Sequence, residues 1–297
     1  MCGIVGLYLK NKQLESQLGK LFTPMLVEMT NRGPDSAGVA IYRDPVARDE
    51  LKLTLAHTDD DFDWDRLADA IAGVDGGTSS RRIGNHCVLT TKAKEEDVRG
   101  FLAANHPDVR IVGAGRKIEI FKEVGLPKDV AEEYDLEDAH GSHIIGHTRM
   151  ATESAVTTAG SHPFATGMDL CLVHNGSLSN HNRLRQWLSK HAGLDFQTEN
   201  DTEVAAAYLT WKLREGASLK EALESSLDDL DGFYTFVAGT ETGFAVLRDP
   251  IACKPAVMAE TDDWVAFGSE YRALRTLPGI DKAKVWEPEP AVVYSWG

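Results

Sequence analysis

Apolar residues along the chain fall into short strand-like runs and helical stripes separated by polar turns. The run CGIVGLYL (2–9) is rich in β-branched and aromatic side chains and predicts an opening strand. Leu18, Leu21, Phe22, Met25, Leu26 and Met29 recur at helical spacing and predict a helix, which the stop signal Asn31-Arg32-Gly33-Pro34 ends. SAGVAIYR reads as a second strand. Past Asp44 the texture changes to acidic and polar runs alternating with short apolar ones. Asp63–Gly73 predicts a small amphipathic helix with Trp64, Leu67, Ala68 and Ile71 on one stripe, and the stretches CVLTTKA, KEEDVRGFLAAN, DVRIVGAG and KIEIFKEVG then read β-α-β-β. Residues 44–141 are therefore expected to form an α+β lobe inserted into a larger domain spanning 1–297. SHIIGHTRM and DLCLVHNGSLS follow as strands. Helices are predicted over Asn180–His191 and Asp201–Glu215, and a third opens at Ser218, where Glu221 completes a capping box. FYTFVAGT, GFAVLRD, PAVMAE and WVAFGSE read as closing strands. Strands, helices and antiparallel strands in series predict an α+β fold of layered sheets with helices outside.

Composition narrows the class. At 297 residues, 42% hydrophobic and 26% charged, the chain has the makeup of a folded protein of one large domain or two modest ones. Its 31 basic and 46 acidic side chains leave a net charge of -15, and the densest basic pair, Arg81 and Arg82, is isolated. Such a chain repels phosphate, so no nucleic-acid partner is expected. No run approaches the ~18 apolar residues of a membrane span, and no basic stretch precedes the apolar opening as in a secretion signal. Cys2, Cys87, Cys171 and Cys253 are spaced too irregularly for a disulfide lattice or a metal knuckle. A cytoplasmic chain without metal or membrane contact is expected.

Several positions carry candidate chemistry. If Met1 is removed, Cys2 holds a thiol and a free α-amine on one residue. Both kinds of group titrate near neutrality, so the amine can take the thiol proton directly or through one water. Taken alone, Cys2 also reads as a small apolar residue opening a strand. Asn175-Gly176 lies between apolar runs and by itself reads as a hairpin turn, while its amide and backbone N–H also suit an oxyanion hole. Arg149 ends a strand and can clamp a carboxylate in a two-pronged contact, although an ordinary ion pair is the plainer reading. Asp201 reads as a helix N-cap or as a grip for an ammonium. Facing one pocket, these two residues would hold both ends of an α-amino acid. His140, His143 and His147 have no thiolate or carboxylate at metal-ligand spacing and read as packing residues. Asp59, Asp61 and Asp63 only imitate a calcium loop, since Trp64 holds its glycine position and Ala70 its glutamate position.

The motifs CGIVG (2–6), RGPDSAG (32–38), GHTRMAT (146–152), SHPF (161–164), HNG (174–176) and NDTE (200–203) occur in that order. Together they resemble the glutaminase domain of class II glutamine amidotransferases, which are N-terminal-nucleophile hydrolases. LRDP (247–250) and SEYRAL (269–274) resemble later strands of that domain, most like the phosphoribosyl-diphosphate amidotransferase branch. The resemblance covers residues 2–43 and 142–290. It implies a four-layer αββα sandwich and hydrolysis of L-glutamine to glutamate and ammonia through a Cys2 thioester. Asn175 and Gly176 would stabilise the oxyanion, Arg149 would hold the α-carboxylate and Asp201 the α-ammonium. Thr152 and His162 would line the pocket, and Arg32 would order the loop beside the nucleophile. Met150 stands where many relatives carry an aromatic residue, and the 44–141 insertion, absent from the common domain, is expected to offer a docking surface.

Glutaminases of this class are normally fused to a synthase domain, of which the sequence shows no flavin, ATP or cluster motif. The resemblance therefore implies a hetero-oligomer with separate synthase subunits and no cofactor in this chain. The insertion is most similar to that of stand-alone subunits in the split glutamate synthase group, which includes N-methylglutamate synthase. Partners of that type carry FMN and iron–sulfur clusters. Two other readings stay open from the sequence: a non-catalytic scaffold or glutamine-sensing subunit, and an N-terminal-nucleophile hydrolase of another amide.

Overall fold

The computed structural model describes residues 2–75, 77–151 and 156–297. The chain opens with β1 (Gly3–Leu9) and α1 (Leu18–Val27) and turns into β2 (Ser36–Tyr42). Next come β3 (Leu51–Ala56), α2 (Trp64–Asp75), β4 (Ser79–Ile83), β5 (His86–Thr91), α3 (Glu95–Asn105) and β6 (Arg110–Gly115). β7 (Ile118–Val124), α4 (Pro127–Glu133), β8 (His143–Arg149), β9 (Phe164–Gly167) and β10 (Leu170–Leu178) lead to α5 (His181–Ala192), α6 (Asp201–Arg214) and α7 (Leu219–Asp229). The chain closes with β11 (Gly232–Gly239), β12 (Phe244–Arg248), β13 (Val257–Glu260), β14 (Trp264–Gly268), α8 (Tyr271–Leu274), β15 (Lys284–Trp286) and β16 (Val293–Trp296).

A seven-stranded sheet, β15-β13-β14-β1-β8-β2-β7, stacks on a five-stranded one, β16-β12-β11-β10-β9. Ile4, Ala40, Tyr42 and Ile145 of the first meet Cys171, Val173, Val237 and Phe244 of the second in the layer between them. Alternate residues of the same strands, Val5, Leu7, Val39, Ile41 and Ile144, pack outward against Leu18, Phe22, Met25 and Leu26 of α1. On the far side Leu172, Tyr234 and Phe236 pack against Val204, Ala205 and Tyr208 of α6. Both faces of each sheet are covered, which is why these strands read as continuous apolar runs rather than as an alternation. The result is the expected α+β, αββα sandwich. α6 is buried from Thr202 to Thr210, as befits a helix with apolar residues around much of its girth. Ser218 and Glu221 form the predicted capping box at the start of α7, an arrangement that stabilises a helix by about 1 kcal/mol.

The inserted segment is narrower than the expected 44–141. Its own four-stranded sheet, β4-β5-β3-β6, ends at Gly115. β7 instead belongs to the main sheet, in continuous register with β2 from Ser36↔Val124 to Tyr42↔Ile118, because Ile118 and Ile120 complete the layer between the sheets. α4 likewise joins the main core through Val130 and Ala131. The lobe core is built from Leu53, Leu55, Leu89, Ile111 and the predicted α2 stripe, Trp64, Leu67, Ala68 and Ile71. β4 is exposed along most of its length and carries no apolar alternation to announce it; pairing with β5 makes it a strand. Among the described residues no helix is long and apolar enough to cross a membrane.

Candidate active site

Cys2 stands just before β1, and its main chain is held from several directions. Its carbonyl oxygen accepts Arg32 Nε at 3.0 Å and Asn175 Nδ2 at 3.1 Å. Two residues on, Ile4 and Ser269 exchange hydrogen bonds, Ile4 N–H to Ser269 Oγ and Ser269 N–H to Ile4 O, each at 2.9 Å. Arg32 is buried, and its Nη1 pairs with Glu270 at 2.8 Å. Gly33 beside it lies so near β8 that a Cβ would come within 2.3 Å of the Thr148 carbonyl carbon. The loop after α1, strand β10 and the turn after β14 thus converge on one residue.

A cavity of about 930 Å³ opens beside Cys2, and Arg149, Met150, His162, Gly176 and Asp201 line it with the cysteine. The Cys2 Sγ lies 4.0 Å from the Met150 carbonyl oxygen. The structure therefore brings together Cys2, Arg149, Gly176, His162 and Asp201, with Asn175 and Arg32 bonded to the Cys2 main chain. Thr152, also expected here, lies outside the described residues.

Asn175-Gly176 is not a hairpin turn. The pair lies inside β10, whose register with β11 runs unbroken from Cys171↔Gly239 to Leu178↔Gly232. Gly176 has φ 153°, and a Cβ there would meet the Phe233 carbonyl oxygen at 1.9 Å and His174 Nε2 at 2.8 Å. The glycine serves close approach of backbone, not chain reversal. Asp201 is likewise not the N-cap of α6. Asn200 fills that position, its side chain accepting Thr202 N–H at 2.9 Å. Asp201 is thereby free to accept Leu178 N–H at 2.9 Å and to lie 3.7 Å from His174 Nδ1. Burial opposes its charge, but hydrogen bonding and the charge of His174, with the Leu178 N–H, pull the carboxyl down to about 2.

Behind this wall lies a buried histidine cluster. His162 Nε2 and His174 Nδ1 meet the Thr202 hydroxyl at 2.7 and 3.0 Å. His147 stacks on His162 at 4.0 Å and donates its Nε2–H to the His174 carbonyl oxygen at 3.1 Å. Burial pulls His147 down to about 3 and His162 well below its ordinary value, so both rings are neutral at pH 7. His143 is buried elsewhere, against the Thr240 carbonyl, and His140 pairs with Asp44 at the surface. A half-buried thiol, a nearby amide donor, and an arginine and a carboxylate on one cavity form a set able to receive a zwitterionic α-amino acid.

Comparison with known proteins bears on the family of the chain. A family model described as "Glutamine amidotransferase domain" matches residues 147–276. The "Glutamine amidotransferase-like protein GlxB" of Rhizobium meliloti (strain 1021) is 59% identical over 100% of this chain and 98% of its own length. The chain belongs to the class II glutamine amidotransferase family. A more distant relative, the glutamine--fructose-6-phosphate aminotransferase of Vibrio vulnificus (strain YJ016), is 30% identical over 55% of this chain and 26% of its own length. Among solved structures, the glutamine phosphoribosylpyrophosphate amidotransferase from B. subtilis superposes with TM-score 0.62 at 23% identity, covering 99% of this chain and 47% of that one. That likeness concerns the amidotransferase fold.

Several residues of this amidotransferase site were not singled out from the sequence, although each sits inside a motif that was. Asp35 holds the end of β8, its N–H donating to Arg149 O at 3.1 Å and its Oδ2 accepting Ala151 N–H at 2.8 Å. Glu270 anchors Arg32, while His174 and Thr202 tie Asp201 to the histidine cluster. Their polarity at positions within these motifs was the available signal.

Proposed function

We propose that this chain hydrolyses L-glutamine to glutamate and ammonia through a thioester on Cys2 and passes the ammonia to a separate synthase subunit. The convergence of Cys2, Gly176, Arg149 and Asp201 on one cavity, with Asn175 bonded to the Cys2 residue, carries the reading. Arg149 takes the substrate carboxylate and Asp201 its ammonium, so the γ-amide is presented to the sulfur. The α-amine of Cys2 removes the thiol proton as Sγ bonds to the amide carbon. The resulting oxyanion is held by the Asn175 amide and the Gly176 N–H, where loss of a single donor costs about 3–4 kcal/mol. The ammonium then returns the proton to the departing nitrogen, the C–N bond breaks and ammonia leaves. Water, deprotonated by the same amine, cleaves the thioester to glutamate and regenerates the thiol.

His162 helps complete the pocket in this reading, Thr152 keeps the substrate-binding role expected of it, and Arg32 orders the main chain of the nucleophile. The acceptor is proposed to lie on glutamate synthase-like subunits, such as those of N-methylglutamate synthase, that carry FMN and an iron–sulfur cluster. The 59% identical Rhizobium relative, aligned over 98% of its own length, supports the glutamine amidotransferase part of this reading. A cytoplasmic hetero-oligomer follows from that proposal.

The test is glutamate and ammonia release by the purified chain, with its co-purifying subunits present, together with intact mass. Loss of Met1 and a covalent adduct on Cys2 from a diazoketone analogue of glutamine are expected, with no turnover in Cys2→Ala. Undiminished release by Cys2→Ala overturns the mechanism. Companion subunits without flavin or iron–sulfur absorption overturn the acceptor assignment.

A further inference from the structure

Two walls of the cavity are backed by buried charges that reach the backbone. Lys122, on β7, is 3% exposed. Its Nζ donates toward the carbonyl oxygens of Ser161 at 2.8 Å and of Ala159 and Pro163 at 3.3 Å, and it lies 4.6 Å from the centre of the Phe164 ring. Thr157, Ala159, Gly160 and His162 of that segment line the cavity. On the neighbouring wall Glu203, 5% exposed, accepts Gln197 N–H at 2.7 Å and Thr198 N–H at 2.8 Å. Gln197, Thr198 and Asn200 line the cavity there. A cation thus gathers carbonyls of one wall and an anion gathers N–H groups of the other, with a void of about 30 Å³ between Lys122 and Glu203.

A buried ammonium is costly unless its donors are met by acceptors. Here the three acceptors are main-chain carbonyls of a single short segment. Removing the ammonium would leave those carbonyls without their shared donor and release the segment, although Cys2 and Asn175 would stay where they are. The chemistry would survive while the glutamine-binding wall loosened.

We propose that Lys122 is a positioning residue for glutamine, fixing the 157–163 wall through its main-chain carbonyls so that it governs KM and not kcat. This rests on the glutamine-hydrolysis reading above. Groups facing the ammonium are Glu203 from α6, Arg110 from β6, His86 from β5 and His162 from the wall itself. Burial pulls Lys122 down to about 7, Glu203 opposes that shift, and Arg110 adds to it. The grip should therefore weaken as pH rises through neutrality.

The test measures glutamine dissociation constants by calorimetry in the Cys2→Ala protein and steady-state constants in the Cys2 protein, with companion subunits present. Lys122→Met should raise Kd and KM at least tenfold and leave kcat within threefold. Values of Kd and KM within twofold of the parent, or a kcat that falls with KM unchanged, overturn the proposal. Should Lys122→Met not fold, Lys122→Arg serves instead, because a guanidinium keeps its proton. The parent Kd should then rise between pH 6.5 and 8.5 more steeply than that of Lys122→Arg, and parallel curves overturn the proposal. Failure of the Cys2→Ala parent to bind glutamine at any pH would count against the functional reading instead.

Discussion

The side-chain amide of Asn175 donates to the carbonyl oxygen of Cys2 across 3.1 Å, joining β10 of one sheet to the residue that leads into β1 of the other. The contact holds the amide against the main chain of the nucleophile residue before substrate arrives, so in the proposed mechanism the donor needs little reorganisation during attack. Asn175→Ala should lower kcat for glutamine hydrolysis by about 10²–10³, the range for loss of one preorganised donor. KM should change much less. A kcat within threefold of wild type in steady-state assays would remove Asn175 from the oxyanion site.

Gly176 is constrained more severely. Its φ of 153° and the 1.9 Å approach of a Cβ to Phe233 O leave no room for a side chain. Gly176→Ala should destabilise the protein by about 3 kcal/mol as β10 and β11 separate locally. Thermal unfolding would show this as a lower midpoint, accompanied by loss of turnover.

Asp201 has two duties in the proposed site, and one substitution separates them. In Asp201→Asn the amide oxygen can still accept Leu178 N–H, but the charge opposite the substrate ammonium is gone. Charged hydrogen bonds are worth about 1.5–3 kcal/mol, so KM for glutamine should rise about 10–100-fold. Glutaramate, which lacks the α-amine, should compete equally weakly against both proteins. Selective loss of glutaramate inhibition would contradict the assignment.

The buried histidines make stability fall with acid. His86, His143 and His147 are each pulled down by burial to about 3, below the ordinary imidazole value near 6.5. A group depressed in the folded state contributes stability that is fully present above its unfolded value and lost as pH falls toward its folded value. Each ring therefore withdraws about 2 kcal/mol between pH 8 and pH 5. Calorimetry should show the unfolding midpoint dropping steadily over that window. Asp201, pulled down to about 2, adds a second loss only below about pH 4. A flat midpoint from pH 8 to 5 would mean that these rings are not held neutral.

Much of this architecture was legible because each apolar period had one use. The α1 stripe from Leu18 to Leu26 packs as its spacing demands, and so does the α2 stripe from Trp64 to Ile71. The motif residues were legible as a set: Cys2, Arg149, His162, Gly176 and Asp201 line one cavity, and Arg32 and Asn175 bond to the Cys2 main chain. Positions whose role depends on a remote neighbour were not. Asn175-Gly176 has turn chemistry locally, yet β11 on one side holds it in a strand. Asp201 has cap chemistry, but Asn200 takes the cap and frees it. β4 has no pattern of its own, and Lys122, inside KIEIFKEVG, looks like any polar residue of an exposed strand face. Its burial arises only when the 157–163 segment folds across it.

The placement of the extra lobe has its own consequence. β2 and β7 are hydrogen-bonded neighbours along their full length, so the polypeptide leaves the main sheet and re-enters it one strand away. Whatever is spliced between those two points meets a fixed doorway, and closing a longer excursion costs only a logarithmic increment in chain entropy. Modules can thus be gained, exchanged or trimmed at this position without the ladder beneath being re-registered.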